Sequence, residues 1–142
     1  MSVAFALISS TVLLADYFIQ IAVVPISMMK GETEGIALLT QYNGHGIFIA
    51  LEELGYFTMS IALFFLAPVF SSTNSLNKSI RWILILPLIL NTISFVLYST
   101  KFGIDRHYRF EVASISIDWL FFIIMGVLIS IYFKANKYGN LI

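Results

Sequence analysis

The segment from His45 to Phe70 most constrains the fold, because it is apolar enough to cross a bilayer and yet carries two adjacent acids, Glu52 and Glu53. A helix rises about 1.5 Å per residue and needs about 20 residues to cross ~30 Å of hydrocarbon. An ionised carboxylate in hydrocarbon costs on the order of 3 kcal/mol or more unless it is paired, hydrated or protonated. The rest of the chain therefore has to provide partners for these acids, or the acids themselves have a function.

The composition of the 142-residue chain is that of an integral membrane protein. The chain is 59% hydrophobic and 11% charged, with a mean hydropathy of +0.92, and a soluble core of this size could not bury so much apolar surface. The formal net charge is zero, so we expect no nucleic acid among the partners. The sequence contains no cysteine, which excludes disulfides and thiolate chemistry. The lipid bilayer is therefore the expected solvent.

Four apolar segments are long enough to span the membrane, at residues 3–29, 46–70, 82–100 and 112–133. The intervening segments 30–44, 71–81 and 101–111 contain the charged and turn-forming residues that predict loops. Since helices satisfy their own backbone hydrogen bonds in lipid, we predict an all-α fold, a four-helix transmembrane bundle that forms one domain over residues 1–142. Two local features are also expected: a bend of the first helix near Pro25, and an interfacial or lid-like position for the short apolar patch at residues 36–39.

Several polar residues within the spans lie at similar depths. Glu52 follows His45 by seven residues, Asn91 precedes Lys101 by ten, and Gln20 precedes Lys30 by ten. At about 1.5 Å per residue, these side chains lie roughly 10 to 15 Å below the same membrane surface. Asp118 lies at a similar depth and Asp16 is near the middle of the membrane.

Helical phase places these polar residues on one face of each span. At 100° per residue Asp16 shares a stripe with Gln20, and Glu52 shares one with Tyr56. We therefore predict an acid-lined pocket inside the bundle, and its ligand-binding residues are Asp16, Gln20, His45, Glu52, Tyr56, Asn91 and Asp118. Glu53 points 100° away from Glu52, so we expect it to contact a neighbouring helix or a second subunit.

No basic residue is expected at the depth of these acids. Acids without an internal cation are either protonated or hold a cation between them, which would be a proton, a metal ion or the amine of a ligand. Neither a Glu-x-x-His nor a His-x-x-x-His pair occurs on one helix, so we predict no metal and no cofactor. Only His45 with Glu52 could form an acid–base pair, and we therefore expect binding without catalysis.

Three phrases of the sequence resemble a known family. They are DYFIQ at Asp16 to Gln20, ALLTQYNGHGIFIALEELGY at Ala37 to Tyr56, and the pair Asp118-Trp119. They resemble an uncharacterised family of prokaryotic multi-pass membrane proteins, which implies a prokaryotic cell membrane and assigns no activity.

A second resemblance concerns the segment IALEELGYF at Ile49 to Phe57. It is similar to the second helix of the sterol-isomerase and sigma-2-receptor (EXPERA) superfamily, in which intramembrane acids hold a cationic ligand or a carbocation. The histidine of that superfamily would fall near Phe48, whereas His45 lies seven residues before Glu52.

Three functions follow from these observations as predictions. The first is a pocket for a small amphipathic or cationic ligand. The second is a proton- or cation-coupled transporter that works as a homo-oligomer, because four helices make a thin permeation path. The third is a structural subunit whose acids pair with basic residues of a membrane partner subunit. Basic residues are equally divided between the two sides of the membrane, so the positive-inside rule does not orient the chain.

Overall fold

The computed structural model describes residues 1–70 and 74–137, and throughout these two ranges the chain is helical or in short connections, without strands. The helices are α1 (Ser2–Ala22), α2 (Val24–Met29), α3 (Ile36–Leu39), α4 (Ile47–Leu66), α5 (Ser75–Phe102) and α6 (Arg109–Lys137), with 3₁₀ segments at Ala67–Val69 and Gly103–Arg106. Four stretches are long and apolar enough to cross a membrane: Ser2–Met29, Ile47–Val69, Ser75–Arg106 and Arg109–Ala135. The predicted all-α, four-helix transmembrane architecture is confirmed.

The helix boundaries differ from the prediction mainly at the start of the third span. α5 begins at Ser75, where a loop was predicted, because Asn74 caps it: the backbone N–H of Asn77 donates to Asn74 Oδ1 at 2.8 Å. The first part of the predicted loop, residues 71–73, lies outside the described residues. A side-chain cap thus extends the third span by about two turns into a polar segment.

The first span is interrupted close to the predicted position. α1 ends at Ala22 and α2 starts at Val24, with Pro25 in the first turn of α2. A proline is tolerated there because the first backbone N–H groups of a helix have no intrahelical partner. The bend therefore precedes Pro25 by two residues.

The segment before α4 folds back over the end of the bundle. α3 contacts both α2 and α4, and the Asn43 side chain donates to the backbone carbonyl of Ala37 at 2.6 Å. The backbone N–H of Gly46 then donates to the carbonyl of Asn43 at 2.8 Å. These turns place α3 against α2 and α4, and its position at the membrane interface or as a lid stays a prediction.

α4 is the central helix of the bundle and contacts α1, α5 and α6. In the most apolar part of this span 56% of the residues are buried, against 22% or fewer in the other three spans. The outer helices direct large apolar side chains such as Phe18, Ile93 and Ile123 outward. The helix that carries Glu52 and Glu53 is therefore the one most enclosed by protein.

α1 approaches α4 closely because small residues lie between them. Ser9 Oγ donates to the carbonyl of Gly55 at 2.8 Å, and Ser2 Oγ donates to that of Ala62 at 2.8 Å. A Cβ atom at Gly55 would lie only 2.5 Å from Leu13 Cδ2. Small residues and interhelical hydrogen bonds are the usual means by which helices associate in lipid.

The two ends of the bundle differ in chemistry. The buried acids lie toward the end that carries the 30–46 and 103–108 connections. The opposite end contains an apolar core, in which Leu63 and Ala67 of the second span pack with Ile80 and Leu84 of α5. The polar chemistry is therefore confined to one side of the membrane and its middle.

Replacement of Gly55 by alanine tests the close approach of α1 and α4. We expect Gly55→Ala to lower the free energy of unfolding by about 1 to 3 kcal/mol, because the added methyl group overlaps Leu13. Thermal unfolding in detergent micelles measures the change. Gly126→Ala is the matched control, since a Cβ at this α6 position meets nothing within 4 Å and should be neutral or slightly stabilising. Equal losses in the two variants would contradict this packing.

Candidate functional site

Three carboxyl groups meet between α1, α4 and α6, and we call Asp16, Glu52 and Glu111 the acid cluster. Asp16 is 2% exposed and Glu52 is 4% exposed, while Glu111 is half-buried. Glu52 is central, because its carboxyl group lies close enough to those of Asp16 and Glu111 to act electrostatically on both. Ionised carboxylates only accept hydrogen bonds and repel each other, so we expect Glu52 and Glu111 to share one proton.

Two tyrosines complete the surroundings of Glu52. The hydroxyl group of Tyr17 on α1 donates to Glu52 Oε1, and its oxygen lies 3.3 Å from the hydroxyl oxygen of Tyr56. Within the described ranges, Asp16 Oδ2 and Glu111 Oε2 are buried without a hydrogen-bond partner. The cluster therefore has more acceptors than donors.

A groove opens toward the lipid beside the acid cluster. This lateral groove has a volume of about 580 Å³, and it is lined by Ser10, Leu13, Leu14, Tyr17, Tyr56, Met59, Trp119 and Phe122. Its outer wall faces the membrane, since Leu14 is 71% exposed and Trp119 is 58% exposed. Tyr17 and Tyr56 belong to both the groove and the surroundings of Glu52, so their hydroxyl groups connect the two.

A second polar cluster lies deeper and ties three helices together; we call it the Ser60 network. Asn91 Nδ2 on α5 donates to Ser60 Oγ at 2.5 Å and to Asp118 Oδ1 at 3.0 Å. Ser60 Oγ is 3.0 Å from Asp118 Oδ1 and 3.3 Å from the carbonyl oxygen of Tyr56. All three side chains are fully buried. The network therefore joins α4, α5 and α6 at mid-membrane.

Glu53 has a different environment from Glu52. It forms an ion pair with Arg106, whose Nη2 donates to Glu53 Oε2 at 2.5 Å. The Arg106 guanidinium group also lies 5.1 Å from the ring centre of Phe95 and 5.4 Å from that of Phe110. The expectation that no cation reaches the depth of the acids is wrong for Glu53, because the long side chain of Arg106 extends into the bundle from the connection after α5.

Two of the predicted site residues lie away from the acid cluster. The ring of His45 contacts that of His107, with centroids 4.4 Å apart, and Gln20 Oε1 accepts a hydrogen bond from the backbone N–H of Gln41 at 3.2 Å. His45 precedes the extended N-cap residue Gly46, so the helical phase used to align it with Glu52 does not apply to it.

The seven predicted residues thus fall into separate groups. Asp16, Glu52 and Tyr56 lie together at the acid cluster. Asn91 and Asp118 belong to the Ser60 network. His45 and Gln20 contact residues of the connecting segments, namely His107 and Gln41. Among the described residues, no three histidine or carboxylate side chains are arranged to hold a metal ion.

Several important residues were missed as site residues by the sequence analysis. Ser60 could have been found by extending the four-residue spacing from Glu52 through Tyr56. Glu111 precedes Asp118 by seven residues and so lies on the same face of its helix, which could have identified it as a further acid of the site. Tyr17 and Arg106 gave no such signal, since their roles depend on how neighbouring elements are placed.

Truncation of Asn91 tests the Ser60 network. We expect Asn91→Ala to reduce stability by about 1 to 2 kcal/mol, because it removes both amide hydrogen bonds and leaves Asp118 with one partner fewer. Thr92→Ala is the control, since the Thr92 hydroxyl bonds only to the Leu88 carbonyl of its own helix and faces outward. Thermal unfolding in micelles compares the variants. A neutral Asn91→Ala would show that the network does not hold the helices together.

Replacement of Glu111 by glutamine tests the shared proton. Alkaline pH removes that proton and leaves two facing carboxylates, so the melting temperature of the wild type should fall as the pH rises. Glu111→Gln should flatten this dependence, because an amide supplies the donor without a titratable proton. Melting curves across pH measure the effect, with the exposed Glu32→Gln as control. Identical pH profiles for wild type and Glu111→Gln would rule out a shared proton.

The chain matches no protein-family model, no curated protein and no solved structure with which it was compared. The resemblances drawn from its sequence phrases therefore stay predictions, and its function is inferred from the geometry of its own polar clusters.

Proposed function

We propose that this membrane protein binds a small lipophilic cation, with the amine at the acid cluster and the apolar part in the lateral groove. The observation that carries this proposal is the shared position of Tyr17 and Tyr56, which line the groove and surround Glu52. A ligand in the groove would therefore meet a buried acid at its inner end.

The electrostatics of the cluster favour a cation. An ammonium group brings positive charge and up to three N–H donors, and the cluster has buried acceptors without partners at Asp16 Oδ2 and Glu111 Oε2. The ring faces of Tyr17 and Tyr56 add cation–π attraction at close range. Such an amine would take the place of the shared proton as the counter-charge of Glu52.

The groove suits the apolar part of such a molecule. Its volume of about 580 Å³ lies within the roughly 300 to 1,000 Å³ of small-molecule sites. Leu13, Met59 and Phe122 provide an apolar lining, and Trp119 provides a flat aromatic edge at the opening. A lipophilic amine that partitions into the bilayer could enter sideways without crossing a polar barrier.

Proton-coupled transport is a second candidate, favoured by the closeness of the Glu52 and Glu111 carboxyl groups, which we expect to share a proton. Exchange of a proton for an organic cation at one acid is the basic requirement of an antiporter. Polar groups continue from Tyr56 to the Ser60 network, but the apolar core around Leu63 and Leu84 lies beyond it. This arrangement favours binding over passage in the observed conformation. Pairing with a partner subunit remains a prediction.

Binding can be measured through Trp119, which lies in the lateral groove. The chain has two tryptophans, so Trp82→Phe on the outer face of α5 leaves Trp119 as the single reporter. We expect a lipophilic amine to change Trp119 fluorescence saturably and its alcohol analogue to bind at least about tenfold more weakly, equivalent to about 1.4 kcal/mol. Glu52→Gln should remove this preference for the amine.

Two controls separate specific binding from partitioning into the detergent. Glu32→Gln removes an acid from an exposed connection and should leave amine binding unchanged. Tyr17→Phe removes only the hydroxyl donor to Glu52 and should change the affinity less than Glu52→Gln does. Equal binding of amine and alcohol, or an unaltered preference in Glu52→Gln, would refute the proposed function.

A further inference from the structure

We infer that a second site, on the Glu53 side of α4, binds a lysophospholipid, a single-chain anionic lipid with a free hydroxyl next to its phosphate. The site combines two adjoining cavities. The interfacial chamber is a polar cavity of about 330 Å³ bordered by His45, Arg106 and His107. The aromatic cleft is an apolar cavity of about 260 Å³ bordered by Phe57, Phe95 and Phe110. Ala50 and Glu53 line both.

The interfacial chamber offers nitrogen donors to an anion. The rings of His45 and His107 lie with their centroids 4.4 Å apart, and the Arg106 guanidinium group borders the same space. Three nitrogen-bearing side chains thus border the same cavity as one carboxylate, that of Glu53. Basic pockets between membrane helices near the surface are suited to lipid phosphate groups.

His107 is held in an unfavourable backbone conformation at this chamber. Its φ of 46° is the one positive value for a non-glycine residue within residues 1–70 and 74–137, and such conformations tend to occur at functional sites. Gly44 makes room for the ring, because a Cβ there would lie 2.9 Å from His107 Nδ1. A glycine would adopt this backbone conformation with less strain. The sequence nevertheless has a histidine here, and its side chain borders the interfacial chamber.

The unpartnered oxygen of Glu53 can accept a hydrogen bond from a ligand hydroxyl that lies between the phosphate group and the acyl chain. One of its oxygens accepts from Arg106, while Oε1 is buried and has no hydrogen-bond partner among the described residues. Glu53 lies six residues after Ile47, the first residue of α4, and so about 9 Å further along the helix axis than the start of that helix. A donor is thus required midway down the site, next to the aromatic cleft.

The order of groups along the site matches one class of amphiphile. From the surface inward it presents nitrogen donors, then the free Glu53 oxygen, then an aromatic cleft. A lysophospholipid presents a phosphate, then a free glycerol hydroxyl, then one acyl chain. A diacyl phospholipid has an ester in place of that hydroxyl and so no donor for Glu53. The charge preference of this site is opposite to that of the acid cluster.

The test compares four probes on purified, delipidated full-length protein by native mass spectrometry. We expect 1-acylglycerol 3-phosphate to bind at least about tenfold more tightly than each of the other three probes. Diacylglycerol 3-phosphate lacks the hydroxyl, monoacylglycerol lacks the phosphate, and glycerol 3-phosphate lacks the chain. Equal binding of the diacyl lipid would overturn the role of Glu53, and equal binding of glycerol 3-phosphate would reduce the site to one for free phosphate esters.

Two histidine variants test whether the imidazoles of the interfacial chamber contribute to lysophospholipid binding. His107→Gly removes the imidazole and relieves the positive φ, so it should fold at least as well as the wild type and yet lose the preference for the phosphate-bearing probe. His45→Gln, at an exposed position, should weaken that preference in the same direction. Lys101→Gln is the control, since this exposed lysine borders neither cavity. Unchanged lysophospholipid binding in a well-folded His107→Gly would overturn the inference.

Discussion

The two adjacent acids of α4 need hydrogen-bond donors or counter-charges within the membrane, and the rest of the bundle is arranged to supply them. Glu52 and Glu53 point about 100° apart on one helix, so a single neighbour cannot satisfy both. Glu52 accepts a hydrogen bond from the Tyr17 hydroxyl and lies beside the Glu111 carboxyl group, whereas Glu53 pairs with the guanidinium group of Arg106. Lipid offers neither donors nor counter-charges. α4 therefore has to be enclosed from two sides, which explains its central position.

Enclosure of a helix in lipid depends on packing and hydrogen bonds, because the hydrophobic effect gives no preference for protein contacts over acyl chains. α1 meets this requirement through Gly55, whose lack of a side chain admits Leu13 and whose carbonyl accepts from Ser9. α5 and α6 meet it through the Ser60 network, in which Asn91 binds both Ser60 and Asp118. The same polar atoms that are costly in hydrocarbon thus hold the helices together.

The two sides of α4 differ in the chemistry of the side chains around them. On one side, acids with unpartnered oxygens adjoin a lipid-facing groove lined by Tyr17 and Tyr56. On the other side, imidazole and guanidinium groups adjoin an aromatic cleft, with Glu53 at their junction. The two proposed sites are therefore expected to prefer opposite charges, since Glu52 and Glu53, one step apart on the helix, separate the two environments. The apolar core around Leu63 and Ile80 keeps both on the same half of the bundle.

The sequence by itself determined the four spans, the all-helical class and the presence of buried acids on α4. These depend on the length and composition of local segments, because hydrocarbon thickness fixes how many apolar residues a helix needs. Helical phase also predicted that Asp16 lies near Glu52 and that Asn91 lies near Asp118. It could do so because all four residues lie within regular helices. Only the tertiary structure decided how the polar residues are divided among separate clusters. Helix rotation, and the path of the connections that carry His45 and Arg106, depend on close packing between distant residues, which a one-dimensional pattern does not contain.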